Sequence, residues 1–302
     1  AHLAWGADFA VKKIDAGVEV SIDGQLFCQY HVKSGRQPAI WPIIGPGGQA
    51  LTRAYPLGPA GEQENKDHPH HRSLWFSHGI VNGLDFWAAH GADEGKPQNQ
   101  IVHQEFAAAE VRDGQAYLVT RNNWVSAEGE TVCSDERTIW MGADEKYRWI
   151  DYTTRLIASE GEVTFGDTKE GTFAVRVAGT MKVEAEQGGQ IVSSTGRRGL
   201  DAWGQPADWV DYYGPVKGKT AGIAIFSSPR NYQHPCRWHV RTYGLFAANP
   251  FGVHHFPEGE PVQGAKTIPA GDSLTLSYRV VLHNGNTEEA DIGGLDKKYA
   301  AE

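Results

Sequence analysis

The sequence predicts an all-β fold, a sandwich or barrel of many short strands. Three observations carry this. Apolar and polar residues alternate with a period of two through most hydrophobic segments, and helix-like periodicity is nearly absent. The 36 Gly and 15 Pro are scattered between those segments as turn residues instead of forming low-complexity blocks. There is no fixed-period repeat of the kind a propeller shows and no Pro/Ser-rich linker, so residues 1–302 read as one domain.

Taken in order, Gly17 to Tyr30 reads GVEVSIDGQLFCQY, two β-rich runs around Asp23-Gly24, a dipeptide that suits a type I′ hairpin turn. Arg36 to Gly61 is dense in turn chemistry, with Gly45-Pro46-Gly47-Gly48 and Pro56-Leu57-Gly58-Pro59-Ala60-Gly61, and predicts a long ordered loop. Further strands are predicted over Ala116 to Val125, Val132 to Met141, Tyr147 to Ile157, Val163 to Phe165, Thr172 to Val183, Gly222 to Phe226 and Ser273 to His283. In Tyr147 to Ile157 the even positions Arg148, Ile150, Tyr152, Thr154 and Leu156 face one side and Trp149, Asp151, Thr153, Arg155 and Ile157 the other, and one face is polar enough to line a cleft. Only short helices are predicted, such as Asp296 to Ala301.

Composition removes several function classes. No run approaches the ~18–20 continuous apolar residues of a membrane-spanning helix. With 28 Lys+Arg against 37 Asp+Glu the net charge is −9, and no basic cluster offers the cationic contacts that nucleic acids need, so neither a membrane nor a nucleic acid is an expected partner. Cys28, Cys133 and Cys236 are odd in number and far apart, which suits neither a disulfide framework nor a zinc ribbon. The chain starts Ala1-His2-Leu3 without Met, from a removed leader or a trimmed chain; an exported or periplasmic location is favoured over a cytoplasmic one. The GxSxG, HExxH, GxxxxGK and GxGxxG patterns are absent, which removes serine-hydrolase, metalloprotease, nucleotidase and dehydrogenase readings.

Chemistry concentrates in three places. In Asp67-His68-Pro69-His70-His71-Arg72-Ser73-Leu74-Trp75-Phe76-Ser77-His78, four histidines fall within eleven residues. On an extended chain His68 and His70 share a face, with His71 opposite, which suits a polar substrate or a metal. A cupin-type metal site would follow the HxH with a Glu, where this chain has Leu74. Histidines satisfying backbone groups around a Pro-rich turn account for one or two of the four. The second place is Gly166-Asp167-Thr168-Lys169-Glu170-Gly171, followed by a strand carrying Arg176. Turn chemistry accounts for Asp167 and Gly171, whereas Glu170 beside Lys169 or Arg176 has the makings of an acid or base. The third runs from Arg237 to Tyr243 and on through Asn249-Pro250-Phe251-Gly252 to His254-His255; alternation puts Arg237, His239 and Arg241 on one face. Trp75, Trp87, Trp203, Trp209 and Tyr212-Tyr213 add aromatic planes for sugar rings, and Trp203 in its Asp201-Ala202-Trp203-Gly204 context leans most towards ligand.

The segment DHPHHRSLWFSHGIVNGLDFW, Asp67 to Trp87, resembles a bacterial family labelled PmoA-like or methane oxygenase-like, a domain of unknown function common in bacteria that degrade polysaccharides. The resemblance extends through LTRAYPLGPAGE, GDTKEGTFAVRVAGTM and NPFG. Methane oxidation does not fit, because the membrane subunit of that name spans the bilayer several times. The resemblance implies a galactose mutarotase-like supersandwich, two large antiparallel sheets with a sugar cleft on one concave face.

The expected function is therefore a carbohydrate-active enzyme, a glycoside hydrolase or lyase working by His/carboxylate acid–base chemistry on a small-molecule or oligosaccharide substrate. His71, His78 and Glu170 are the expected catalytic groups, and Arg53, His68, His70, Trp75, Asp167, Arg176 and His255 the expected binding groups. No cofactor is required. The alternatives are a non-catalytic carbohydrate-binding protein, an aldose mutarotase, and a metalloenzyme holding a divalent ion on His68, His70 and His78.

Overall fold

Asp23 and Gly24 both take positive φ, 52° and 74°, as a type I′ turn demands, and join β2 (Gly17–Ile22) to β3 (Gln25–Ser34). In the computed structural model, which describes residues 7–88, 95–256 and 264–302, this hairpin belongs to one of two eight-stranded antiparallel sheets. The first sheet runs β1 (Phe9–Ile14), β2, β3, β4 (Gln37–Ile43), β5 (Leu74–His78), β11 (Gly171–Arg176), β16 (Leu245–Asn249), β15 (Arg237–Val240). The second runs β12 (Gln190–Ser193), β13 (Trp209–Val216), β14 (Lys219–Ser227), β18 (Ser273–Asn284), β9 (Tyr147–Ile157), β8 (Thr131–Ala143), β7 (Gln115–Val125), β6 (Gln100–Arg112). A small ladder pairs β10 (Val163–Phe165) with β17 (Lys266–Ile268). The helix α1 (Ile292–Ala301) packs Ile292 on the outside of the second sheet, against Phe226 and Val281.

The core lies between the sheets. Inward residues of the first, such as Leu74, Phe76, Phe173, Val175 and Phe246, form one buried cluster with Trp124, Ile150, Tyr152 and Tyr278 of the second. Phe173 packs across the interface onto the paired Tyr152 and Tyr278, with ring centroids 5.0 and 4.7 Å away. This is the two-sheet sandwich implied by the resemblance.

Three expectations are corrected. The loop foreseen over Arg36 to Gly61 begins with β4, whose Pro38 and Pro42 occupy positions unpaired with β3 or β5, so neither proline removes a ladder bond. The strand foreseen over Thr172 to Val183 ends at Arg176 and gives way to 3₁₀ turns at Gly179–Met181 and Val183–Ala185. The polar odd face of β9 lies on the outside of the second sheet, where Asp151 is paired with Arg279 (2.6 Å), away from the histidine-rich loop.

Candidate active site

Across the outer face of the first sheet, one row of neighbours runs Ala39, Trp75, Ala174, Ala247, His239 on β4, β5, β11, β16 and β15. The three alanines keep this floor low. Trp75 is buried, tilted against Trp87 (5.2 Å) and stacked on His71 (5.4 Å). Arg176 stands on the same face at the end of β11, opposite Leu245.

The loop over residues 52–73 closes on this floor, and Arg53 organises it. Its guanidinium, 1% exposed, donates to the carbonyls of Asp67 (2.9 Å), His68 (2.8 Å) and His71 (2.9 Å) and to Asp67 Oδ1 (2.8 Å). Burial and the nearby Arg176 charge lower its pKa to about 10. Arg53, expected to bind substrate, is thus occupied by its own loop.

Arg176 donates to His71 Nδ1 at 2.9 Å and to Asp67 Oδ1 at 3.0 Å. A guanidinium has no acceptor, so His71 Nδ1 must offer its lone pair and the ring proton sits on Nε2. Burial, then the charges of His70, Arg176, His68 and Arg53, holds the His71 pKa well below the usual value. His71 is a neutral donor there.

Asp67 faces the other way as well. Its Oδ2 lies 3.0 Å from His68 Nδ1. Burial opposes ionisation of Asp67, but Arg176, His68 and Arg53 outweigh it and lower the pKa. An ionised carboxylate only accepts, so His68 presents an Nδ1–H to Asp67, and the neutral ring in that arrangement has its lone pair on Nε2. The His68 side chain is 43% exposed, lies nearly parallel to Tyr243 (5.2 Å, 4°) and His71 (4.8 Å, 9°), and is held at φ 41°. A positive φ at a non-glycine residue beside a carboxylate marks a position fixed by its surroundings. His70 packs edge-on against His71 at 4.4 Å.

Tyr243 joins this cluster to the Glu170 turn. Arg176 lies 4.7 Å and Arg241 5.7 Å from its ring centre. Burial raises its hydroxyl pKa to about 12; the charges of Arg176 and Arg241 act against that, and those of Glu170 and Asp67 with it. Glu170, 36% exposed, is paired with Lys169 at 2.9 Å. His255 Nδ1 accepts from the Lys169 amide at 3.4 Å.

Two expected site residues serve the scaffold. Asp167 accepts from the amides of Val253 (2.8 Å) and Gly264 (2.6 Å) and meets His254 Nδ1 at 2.9 Å, so it ties a loop. His78 lies on the core face of β5: two-residue alternation puts it on the side opposite Trp75, fully buried, with Nε2 2.7 Å from the Gly166 carbonyl. Burial lowers its pKa to about 4. His68, His70 and His78 therefore do not converge, and among the described residues no group of three or more His, Cys, Asp or Glu is placed to hold a metal.

Sequence reasoning singled out the Asp67 to His71 stretch, Glu170 and Arg176, which the fold does bring to one face. It missed the centre, Tyr243, whose only signal was its place two residues beyond Arg241 on the Arg237-His239-Arg241 alternation.

Over 92% of its length the chain is similar to the α-galactosidase from Lactobacillus brevis, at 8% identity and a TM-score of 0.42, and it covers 39% of that chain. A glycoside hydrolase family 97 enzyme from Pseudoalteromonas sp. strain K8, solved with acarbose, matches 92% of this chain at 8% identity and TM-score 0.35, with 34% of its own length covered. A β-arabinopyranosidase matches 93% at 10% identity and TM-score 0.34, with 38% covered. The chain thus spans well under half the length of these enzymes, and the likeness is one of fold. No curated protein matches its sequence. A family model does, over residues 17–295, and the chain belongs to that family, described as a family of unknown function (DUF6807).

Proposed function

We propose that this protein is a carbohydrate-active enzyme that cleaves or rearranges a bond at a sugar ring, by hydrolysis or elimination, with Asp67–His68 and Glu170 as its proton-transfer groups. One observation carries the reading: Asp67 Oδ2 sits 3.0 Å from His68 Nδ1, beside Arg176, with the imidazole open to solvent. In this arrangement His68 Nε2 takes a proton from the sugar or from water, and the Asp67 carboxylate stabilises the imidazolium that forms. Glu170, on the other side of Tyr243, supplies or receives the second proton. Arg176 fixes both Asp67 and His71, and the His71 Nε2–H is a fixed donor for a sugar hydroxyl or for developing negative charge. Trp203, half-buried at the edge of the cluster, offers a face for a pyranose ring.

This assignment moves the catalytic role from His71 and His78 to His68, because His71 Nδ1 is taken by Arg176 and His78 faces the core. Residues 1–302 form one domain in this proposal, kinship with the PmoA-like proteins belongs to it, and a polymeric sugar accords with an exported location. The test is to follow anomeric protons by NMR while the protein is incubated with mono- and oligosaccharides, including uronates and 3-keto sugars. New or exchanging anomeric signals that vanish in His68→Gln support it. Line broadening without product identifies a binding protein, and loss of turnover on adding a chelator identifies the metal alternative on His68 and His70.

A further inference from the structure

The cations around Tyr243 are not equally matched. Arg53 and Arg176 share Asp67, and Lys169 has Glu170. Arg241 has no carboxylate and no hydrogen-bond acceptor among the described residues; its guanidinium packs 5.3 Å from the Trp203 ring centre and 5.7 Å from that of Tyr243, and its buried Nε–H is unpartnered. Such a group is unusual in a chain of net charge −9, where anions outnumber cations. Two more orphans lie beside it. The indole Nε1–H of Trp203 is buried without a partner, and so is His239 Nδ1, on a side chain only 4% exposed and with its ring centre 6.3 Å from that of Trp203. Burial, then the Lys169 and Arg241 charges, lowers the His239 pKa to about 3, so this ring is neutral. Native proteins leave few buried polar atoms unsatisfied, and three on adjacent side chains at one edge of a candidate site call for a ligand that satisfies them.

We propose that the N–H groups of Arg241 and Trp203 form a subsite for the carboxylate of an acidic sugar, with His239 accepting from a hydroxyl of that sugar, so that the substrate class is a uronate. This rests on the sugar-directed reading of the Asp67–His68 cluster and narrows it. A guanidinium flanked by aromatic rings offers donors in one plane, which suits the two in-plane oxygens of a carboxylate. The Trp203 indole adds a further N–H, and neutral His239, whose other ring nitrogen donates to the Lys169 backbone, offers Nδ1 as an acceptor for a hydroxyl of the same sugar. Arg176, across Tyr243, is already paired with Asp67 and His71, whereas Arg241 has no such partner among the described residues and has capacity for a substrate anion.

The test is titration calorimetry on the full chain with three probes: an oligouronate, the neutral oligosaccharide of the same linkage, and its sulfated counterpart. The expected result is at least tenfold tighter binding of the uronate than of either other probe, with that preference abolished in Arg241→Met and partly restored in Arg241→Lys, while the thermal unfolding midpoint of each variant reports its fold. Equal affinity for the neutral and uronate probes overturns the proposal, as does no binding of the uronate, a preference for sulfate, or a preference that survives Arg241→Met. Tight uronate binding with no product formed sinks the catalytic reading and leaves this subsite standing.

Discussion

Arg176 decides what the neighbouring histidines can do, because a guanidinium only donates. It fixes the His71 proton on Nε2, and its contact with both Asp67 oxygens holds the carboxylate so that Oδ2 also meets His68. Replacing His68 by Gln is therefore expected to lower kcat about 10²- to 10⁴-fold, the usual range for a lost acid–base group, with a smaller effect on KM. Asp67→Asn is expected to fall in the same range through the wrong His68 tautomer, and steady-state kinetics on the substrate found by NMR checks both. Protonation also bears on stability. The His78 pKa is lowered to about 4 by burial, against about 6.5 in the unfolded chain. The unfolded state therefore binds the extra proton: the contribution is fully present above pH ~6.5 and is lost as pH falls towards 4. His71 and His239 are depressed too and add to this loss, whereas buried His283, raised because Asp211 outweighs its burial, has the opposite sign. Urea unfolding of His78→Gln at pH 7 and pH 5 should show a stability difference between the two pH values smaller than the wild type's by about 2 kcal/mol. An unchanged difference would mean that His78 is protonated in the folded protein.

The Asp23-Gly24 hairpin shows which parts of this fold can be read locally. Both residues need positive φ, and a Cβ on Gly24 would meet nothing within 4 Å, so Gly24→Ala should cost about 1 kcal/mol from backbone conformation alone, measured as a lowered urea midpoint with an unchanged slope. Strands with one face in the core and one outside, such as β9 and β10, alternate plainly and match their expected bounds. By contrast β5 and β16 are buried on both faces, the second of which is covered by the loop that carries Arg53 and His71, so no polar–apolar alternation marks them. The candidate site inherits this limit. Its histidines were legible because they are dense in the chain, but Tyr243 and Arg241 reach them only through the β5–β11–β16–β15 pairing, which no local pattern encodes. The sequence around Asp167 suits a turn residue or a ligand contact, and its partners at Val253 and Gly264 are likewise invisible in sequence. Because these are charge-assisted bonds to a side chain only 5% exposed, Asp167→Ala should destabilise by about 2–4 kcal/mol and speed amide exchange at Val253 and Gly264. Protection unchanged at those two amides would show the loop is tied elsewhere.

The two sheets meet over more than apolar contacts, and this separates what holds the protein together from the proposed catalytic cluster. Asp135 and Arg137 on β8 are wholly buried in the sandwich and paired at 2.9 Å. The carboxylate also accepts from Asn122 Nδ2 (2.6 Å) and Trp124 Nε1 (2.8 Å), and Arg137 donates to the Tyr152 hydroxyl at 3.1 Å. The Arg137 guanidinium lies 5.7 Å from the ring centre of Phe76 on the first sheet, and Tyr30 reaches across to Thr120 at 3.2 Å. With its hydrogen bonds met, the pair is tolerated in the core; removing one partner strands the other charge where water cannot reach it. Asp135→Ala should therefore cost about 3–5 kcal/mol, whereas Asp135→Leu with Arg137→Met, which removes both charges and keeps volume, should cost much less than the sum of the two single changes. A double-mutant cycle by chemical denaturation measures this directly, and additive losses would show that the two groups do not depend on each other. The same variants bear on function: Phe76 and Arg137 lie on the core side of a sheet whose other face carries Trp75 and Arg176, so wherever the double variant folds it should retain the wild-type kcat. A folded double variant with depressed kcat would mean that the outer face takes its geometry from this network, and the catalytic cluster would then have to be read as extending through the sheet.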